Sequence, residues 1–99
     1  MEKYINEIKE LMENYLYIKL QIENDIAPNS IAQKMEFIEK SIKLLDGESH
    51  AILTSICFKD YKKAEIAKKL GITRQALYRK INNSIKKLIP VYKELFAKT

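Results

Sequence analysis

The side chains with the most distinctive chemistry lie between residues 74 and 86. Arg74 and Arg79 are the only arginines of a 99-residue chain that holds sixteen lysines. On a helix that turns about 100° per residue, Gln75, Arg79 and Asn82 lie opposite the apolar edge of this stretch. Arginine forms paired hydrogen bonds with guanine, and glutamine or asparagine forms them with adenine. The stretch therefore carries the side chains that distinguish base pairs in the major groove of DNA.

Two groups of DNA contacts follow from this arrangement. We predict contacts with base edges for Arg74, Gln75, Tyr78, Arg79 and Asn82. Contacts with the sugar-phosphate backbone, which position a protein without reading sequence, are predicted for Lys62, Lys63, Lys68, Lys69, Thr73, Asn83, Lys86 and Lys87. A face that is merely solvated more often pairs Glu with Lys, and no acidic residue lies between Glu65 and Glu94.

The distribution of charge points to the same partner. Residues 1–47 hold six lysines and nine acidic residues, a net charge of −3, whereas residues 48–99 hold twelve cations and four acidic residues, a net charge of +8. A basic half joined to a mildly acidic half indicates that only the second half binds a polyanion. Solubility alone would not require this split.

A pair of helices joined by a sharp turn is predicted to hold residues 74–86, which carry the side chains that would contact base edges. Its parts are a helix at residues 63–70, a turn at residues 71–73 and a helix at residues 74–89. Gly71 can adopt the left-handed conformation that ends a helix, and Thr73 can cap the next helix through its hydroxyl. The small Ala67 lets the two helices approach closely, and Leu77 is placed to meet it. This combination predicts a helix-turn-helix.

The N-terminal half predicts two further helices. Apolar residues recur at alternating steps of four and three across residues 4–22, which is the spacing of a heptad seam. Pro28 disfavours helix in the residue before it, and Ser30 with Gln33 has the spacing of a capping box that begins the second helix. That helix is expected to end at Gly47. Two helices joined by a short turn are predicted to pack as an antiparallel hairpin.

The apolar stripe of the first helix is wider than one partner helix requires. We therefore predict a homodimer through the N-terminal hairpin, with Phe37 near the interface. The predicted interface residues are Tyr4, Ile8, Leu11, Tyr15, Tyr17, Ile18 and Ile22. The alternative, in which these helices pack only on the rest of their own core, stays open at this point.

The whole chain is predicted to be all-α. Its length corresponds to a single domain, since domains usually span about 100 to 200 residues. Residues 1–47 would form the hairpin, and residues 48–99 would form the helix-turn-helix region. In that second region, a buried helix at residues 48–58 is expected to come first, and a short helix after Pro90 is expected to cover the core.

Other classes of function find no support in the sequence. Cys57 is the only cysteine and lies in an apolar run, which predicts a buried, unreactive thiol and no disulfide. His50 is the only histidine, so no metal site is expected. Neither a phosphate-binding glycine loop nor a nucleophile elbow occurs. We therefore expect neither an enzyme nor a cofactor or small-molecule substrate, and the lack of an apolar span or signal peptide predicts a cytoplasmic protein.

Residues 48–88 resemble the C-terminal promoter-recognition domain of sigma factors. The resemblance rests on Glu65-Ile66-Ala67, Gly71-Ile72-Thr73-Arg74 and Ile85-Lys86-Lys87-Leu88. With two helices in front of that domain, the whole chain is similar to phage regulators of late transcription of the RinA and ArpU type. The resemblance implies double-stranded DNA near a late promoter as one partner and control of transcription through RNA polymerase.

Two other interpretations remain open. A small packaging subunit of a phage terminase also joins a helix-turn-helix to oligomerising helices, and it would assemble into rings. Alternatively, the protein is an adaptor whose helices cover a protein partner, in which case DNA binding would be incidental.

Overall fold

The structure is a computed structural model that describes residues 2–96. Residue 1 of the predicted hairpin region and residues 97–99 of the predicted helix-turn-helix region lie outside it. The described residues form seven helices and no strand, which confirms the predicted all-α fold. The helices are α1 (Glu2–Glu13), α2 (Tyr15–Glu23), α3 (Asn29–Leu44), α4 (Gly47–Cys57), α5 (Lys63–Leu70), α6 (Arg74–Lys86) and α7 (Ile89–Phe96).

The predicted first helix is interrupted at Asn14. This residue has φ −107° and ψ 21°, outside helical geometry, and separates α1 from α2. Its side-chain Nδ2 donates to the backbone carbonyl of Glu10 at 2.8 Å. The backbone N–H of Asn14 donates to the same carbonyl at 3.1 Å, so this oxygen accepts from both nitrogens of Asn14 where the helix is interrupted. Asn24 makes the same contact with Leu20 at 2.7 Å where α2 ends.

The start of α3 differs from the prediction. The helix begins at Asn29, directly after Pro28, and no side chain caps it. The predicted capping box of Ser30 and Gln33 is therefore wrong. Instead, the carbonyl of Pro28 accepts hydrogen bonds from the backbone N–H groups of Ile31 and Ala32, both at 3.1 Å.

A single hydrophobic core joins the N-terminal helices to the rest of the chain. The helix α1 packs on α3, α4, α6 and α7, so the first helix lies against the helix-turn-helix region. Ile8 of α1, Met35 of α3, Leu53 of α4, and Leu77 and Ile85 of α6 are fully shielded from solvent. The chain folds back after α2, and α3 contacts α2 as well as α1 through ion pairs at Glu39 and Glu7.

A polar cluster ties α1, α3 and α7 together. The Lys34 ammonium lies 2.7 Å from the Glu7 carboxylate, and the buried Tyr92 hydroxyl donates to the same carboxylate. These hydrogen bonds from Lys34 and Tyr92 lower the pKa of Glu7. Phe37, predicted near a dimer interface, packs instead on Tyr92 and Phe96, with ring centroids 5.8 and 5.9 Å away.

The last two helices meet earlier than predicted. The helix α6 ends at Lys86 instead of residue 89, and the N–H of Leu88 turns back to the carbonyl of Ile85 at 2.9 Å. Ile89 then begins α7, with Pro90 as its second residue. Proline fits the first turn of a helix because its missing N–H would have no partner there.

Candidate nucleic-acid interface

The turn between α5 and α6 is set by two backbone hydrogen bonds around Gly71. The N–H of Ile72 donates to the carbonyl of Ala67 at 3.0 Å, and the N–H of Gly71 donates to that of Lys68 at 3.2 Å. Gly71 has φ 68° and ψ 33°, the left-handed conformation that this pattern requires. The predicted role of Gly71 is confirmed, and the turn brings the start of α6 beside α5.

The start of α6 is capped by Thr73. Its Oγ1 accepts a hydrogen bond from the backbone N–H of Ala76 at 3.1 Å. Ala67 on α5 and Leu77 on α6 are both buried where the two helices pack. The predicted cap and the predicted close approach are both confirmed, and they fix the angle at which α6 leaves the turn.

Contacts with α4 fix the rotation of α6 about its own axis. The buried hydroxyl oxygens of Ser84 and Ser49 lie 3.0 Å apart, and the Lys87 ammonium donates to Ser49 at 2.9 Å. One turn earlier, Lys80 reaches Glu48 at 2.8 Å. These contacts hold the apolar edge of α6 inward and turn its opposite edge to solvent.

The solvent-facing edge carries four of the five residues predicted to contact base edges and two of those predicted to contact the sugar-phosphate backbone. We call it the α6 outer face, and its exposed members are Arg74, Gln75, Tyr78, Arg79, Asn83 and Lys86. Among the side chains of residues 3–96, no carboxylate lies within 4.0 Å of either arginine or of Lys86. The guanidinium groups are therefore available to an external acceptor.

Asn82, predicted to contact a base, is placed differently. It is half-buried, and its Oδ1 atom is shielded from solvent without a hydrogen-bond partner. Paired bonding to adenine needs both the oxygen and the nitrogen of the amide. Exchanging the two atoms would only bury the nitrogen instead. Asn82 is therefore a correction to the predicted set of base-reading residues.

The cations predicted to meet phosphates divide into two groups. Lys62, Lys68 and Lys69 are exposed, and none has a carboxylate within 4.0 Å among the described residues. The Lys69 ammonium lies 4.9 Å from the centre of the Tyr61 ring. Lys63 and Lys87 instead form contacts within the chain, Lys63 with the Glu13 carboxylate and Lys87, which is itself exposed, with Ser49.

Beside the α6 outer face lies an open cleft of about 420 Å³. We call it the α1–α5 cleft, and it is lined by Glu13, Ile56, Asp60, Tyr61, Lys62, Lys63, Ala64, Arg74 and Tyr78. Glu13 and Tyr61 were not predicted as site residues. Tyr61 has Lys62 and Lys63 after it and Lys59 two residues before it, although Asp60 directly precedes it. No local signal marks Glu13.

The predicted dimer interface is largely part of the core of one chain. Ile8, Leu11 and Ile18 are buried, so a second chain cannot cover them. Tyr15 packs edge-on against Phe58 with ring centroids 5.1 Å apart. The prediction is wrong for these residues because the chain's own core covers them, which sequence spacing does not reveal. Ile8 and Leu11 lie on α1, which packs on α4 and α6, and Tyr15 and Ile18 of α2 pack on the same core.

The remaining interface residues lie nearer the surface. Tyr4 packs on Tyr92, with ring centroids 6.2 Å apart, and Ile22 is half-buried. Tyr17 is the one predicted interface residue with most of its side chain exposed, at 65%. Its exposed apolar neighbours on α2 are Leu16 and Leu20. We call the surface formed by these three residues the α2 apolar face.

The other candidate groups are occupied by structural contacts. Cys57 is buried. Desolvation is the main cause that raises the pKa of its thiol to about 12, and the nearby negative charge of Glu39 is the smaller one. The Nδ1 atom of His50 lies 2.9 Å from the carbonyl of Ile42. Within residues 3–96, no three His, Cys, Asp or Glu side chains are grouped to hold a metal ion.

Two broader observations complete the description. Among the described helices, none has the length and apolar character that crossing a lipid bilayer requires. Comparison of the chain with family models, with curated proteins and with solved structures found no match in any of the three.

Proposed function

We propose that this protein is a sequence-specific regulator of transcription that binds double-stranded DNA and inserts α6 into the major groove. The observation that carries the proposal is the α6 outer face: both arginines of the chain are exposed there, with no carboxylate within 4.0 Å among the side chains of residues 3–96. Arginine is the residue that most often reads guanine in the major groove.

The dimensions and rigidity of α6 support this docking. A helix is about 10 to 12 Å across with its side chains, and the major groove is about 12 Å wide. The cap at Thr73 and the hydrogen bond between Lys87 and Ser49 hold α6 at both ends. Base-reading side chains on such a fixed helix lose little conformational entropy when they bind.

The surrounding cations support contact with the two phosphate backbones. Lys62, Lys68 and Lys69 belong to α5 or precede it, and Lys86 lies at the far end of α6. If each of these four lysines neutralises one phosphate, the logarithm of the binding constant should fall with the logarithm of salt concentration at a slope of about −4 per chain. These contacts give affinity for any duplex, and the α6 outer face supplies the preference among sequences.

The proposal includes two copies of the chain on one site. The α2 apolar face supports this, because Leu16, Tyr17 and Leu20 are exposed there and none of them is charged. Two copies related by two-fold symmetry would read a palindrome. The regulatory part of the proposal, with RNA polymerase as a further partner, is supported by the resemblance of residues 48–88 to the promoter-recognition domain of sigma factors.

Selection of bound duplexes from a random pool tests the proposal. We expect a consensus with guanine at the positions nearest Arg79, and a palindromic consensus if two copies bind. Binding of the selected duplex is then measured between 50 and 300 mM salt against a scrambled duplex of equal length. A pool that never converges on a consensus would refute base reading. A salt slope near zero would refute contact with phosphates.

A further inference from the structure

Lys63 is held between three helices at the edge of the α6 outer face. It is the first residue of α5, and its ammonium lies 2.6 Å from the carboxylate of Glu13, the last residue of α1. The same ammonium lies 5.3 Å from the centre of the Tyr78 ring on α6. Glu13 thus brings a negative charge from the N-terminal region to a cleft whose other charged residues are Asp60, Lys62, Lys63 and Arg74.

The ion pair lies where an approaching phosphate would meet it. Glu13 and Lys63 line the α1–α5 cleft together with Lys62 and Arg74, which are exposed. The side chain of Lys63 is 26% exposed and that of Glu13 is 44% exposed, so solvent reaches both groups. Ion pairs in such settings shift an equilibrium by about 1.4- to fivefold, so a phosphate can compete with Glu13 for Lys63 at that cost.

We propose that Glu13 limits the affinity of this protein for DNA by keeping Lys63 from the phosphate backbone. The inference rests on the proposed function, because it concerns the strength of binding at the same surface. It assigns to α1 a part in DNA binding although α1 contributes no contact with a base. Because phosphate contacts do not read sequence, Glu13 lowers affinity for the cognate duplex and for any other duplex by the same factor.

The expected effect of removing the carboxylate follows from the number of phosphates that are neutralised. In Glu13→Gln, Lys63 gains freedom to bind one more phosphate, which steepens the salt slope by about 0.9. The gain in affinity cannot exceed the free energy of the ion pair that is removed, which corresponds to about 1.4- to fivefold. We therefore expect Glu13→Gln to bind both cognate and scrambled duplexes up to about fivefold more tightly at 0.1 M salt.

Removal of a negative charge alone could also strengthen binding to DNA, and two comparisons separate that effect. Glu10→Gln makes the same change in charge on an exposed residue of α1 for which the structure records no ion pair. Lys63→Gln removes the cation that Glu13→Gln would release. In a Lys63→Gln chain, Glu13→Gln should therefore raise the affinity for DNA no more than the Glu10→Gln control does.

The experiment is a titration of labelled duplex with the full chain, followed by fluorescence anisotropy at several salt concentrations. Thermal unfolding of each variant checks that it is folded. Glu13→Ala serves as a second variant if Glu13→Gln does not fold. The inference is overturned if Glu13→Gln binds like the unsubstituted chain, if its gain equals that of Glu10→Gln, or if the gain persists without Lys63. Failure of the unsubstituted chain to bind any duplex would overturn the proposed function itself.

Discussion

Replacement of Arg79 by alanine separates base reading from general attraction to DNA. Arg79 is exposed on the α6 outer face, and no carboxylate lies within 4.0 Å of it among the side chains of residues 3–96. Its removal therefore breaks no ion pair within the described chain, and the stability should change by no more than about 0.5 kcal/mol. The effect on DNA binding can then be attributed to the contact with DNA.

The size of that effect depends on the duplex. A paired contact between arginine and guanine contributes about 1 to 3 kcal/mol of discrimination, so we expect Arg79→Ala to bind the selected duplex about five- to 150-fold more weakly. On a scrambled duplex the loss should be much smaller. Lys68→Ala is the matched control because Lys68 is also exposed, and it should weaken both duplexes alike and make the salt slope shallower by about 0.9.

Fluorescence anisotropy with both duplexes, at two or more salt concentrations, measures these differences. The interpretation of the α6 outer face would be wrong if Arg79→Ala weakened the selected and the scrambled duplex by the same factor. It would also be wrong if Lys68→Ala changed the preference between them.

Three further predictions concern the turn, the polar cluster and the α2 apolar face. Gly71→Ala and Gly47→Ala should each lower the free energy of unfolding by about 1 to 2 kcal/mol in urea titrations, because both glycines have positive φ, which is unfavourable for alanine. An added Cβ would meet no atom within 4 Å at either position, so the loss comes from the backbone conformation alone. The pKa of Glu7 is lowered in the folded protein, so its contribution to stability is present above its unfolded value of about 4.5 and is lost as pH falls through the folded value. The urea concentration at the midpoint of unfolding should therefore fall on acidification below about pH 4.5, and it should fall less in Glu7→Gln. An equal fall in both proteins would show that other groups dominate the pH dependence of stability. Tyr17→Lys should shift a dimer toward monomer in sedimentation velocity, whereas rings of eight or more chains would favour the packaging interpretation.

The parts of the site that could be predicted depend on local chemistry. Gly71 and Thr73 act through backbone groups three to five residues away, so their residue types alone indicate the turn and the cap. The polar edge of α6 follows from helical periodicity in the same way. Asn82 shows the limit of that reasoning, because periodicity gives the direction of a side chain but not how far neighbouring elements cover it.

The parts that could not be predicted depend on contacts between distant residues. A heptad seam shows that a stripe must be buried but not what buries it, so the seam of α1 was assigned to a second chain although α4 and α6 cover it. The pair of Glu13 and Lys63 joins residues that are 50 positions apart. Asn14 lies within a continuous heptad pattern in the sequence, and only its backbone angles in the structure show that the helix breaks there.

The hydrogen bond from Tyr92 to Glu7 spans 85 positions of the sequence and has a consequence for biosynthesis. While the chain emerges from a ribosome, α1 can meet α3 and α4 before Tyr92, whose hydroxyl completes the Glu7 cluster, has been synthesised. The face of α1 that packs on α7 therefore stays uncovered until α7 leaves the exit tunnel. Formation of this contact closes a long loop, which makes it a late step of folding.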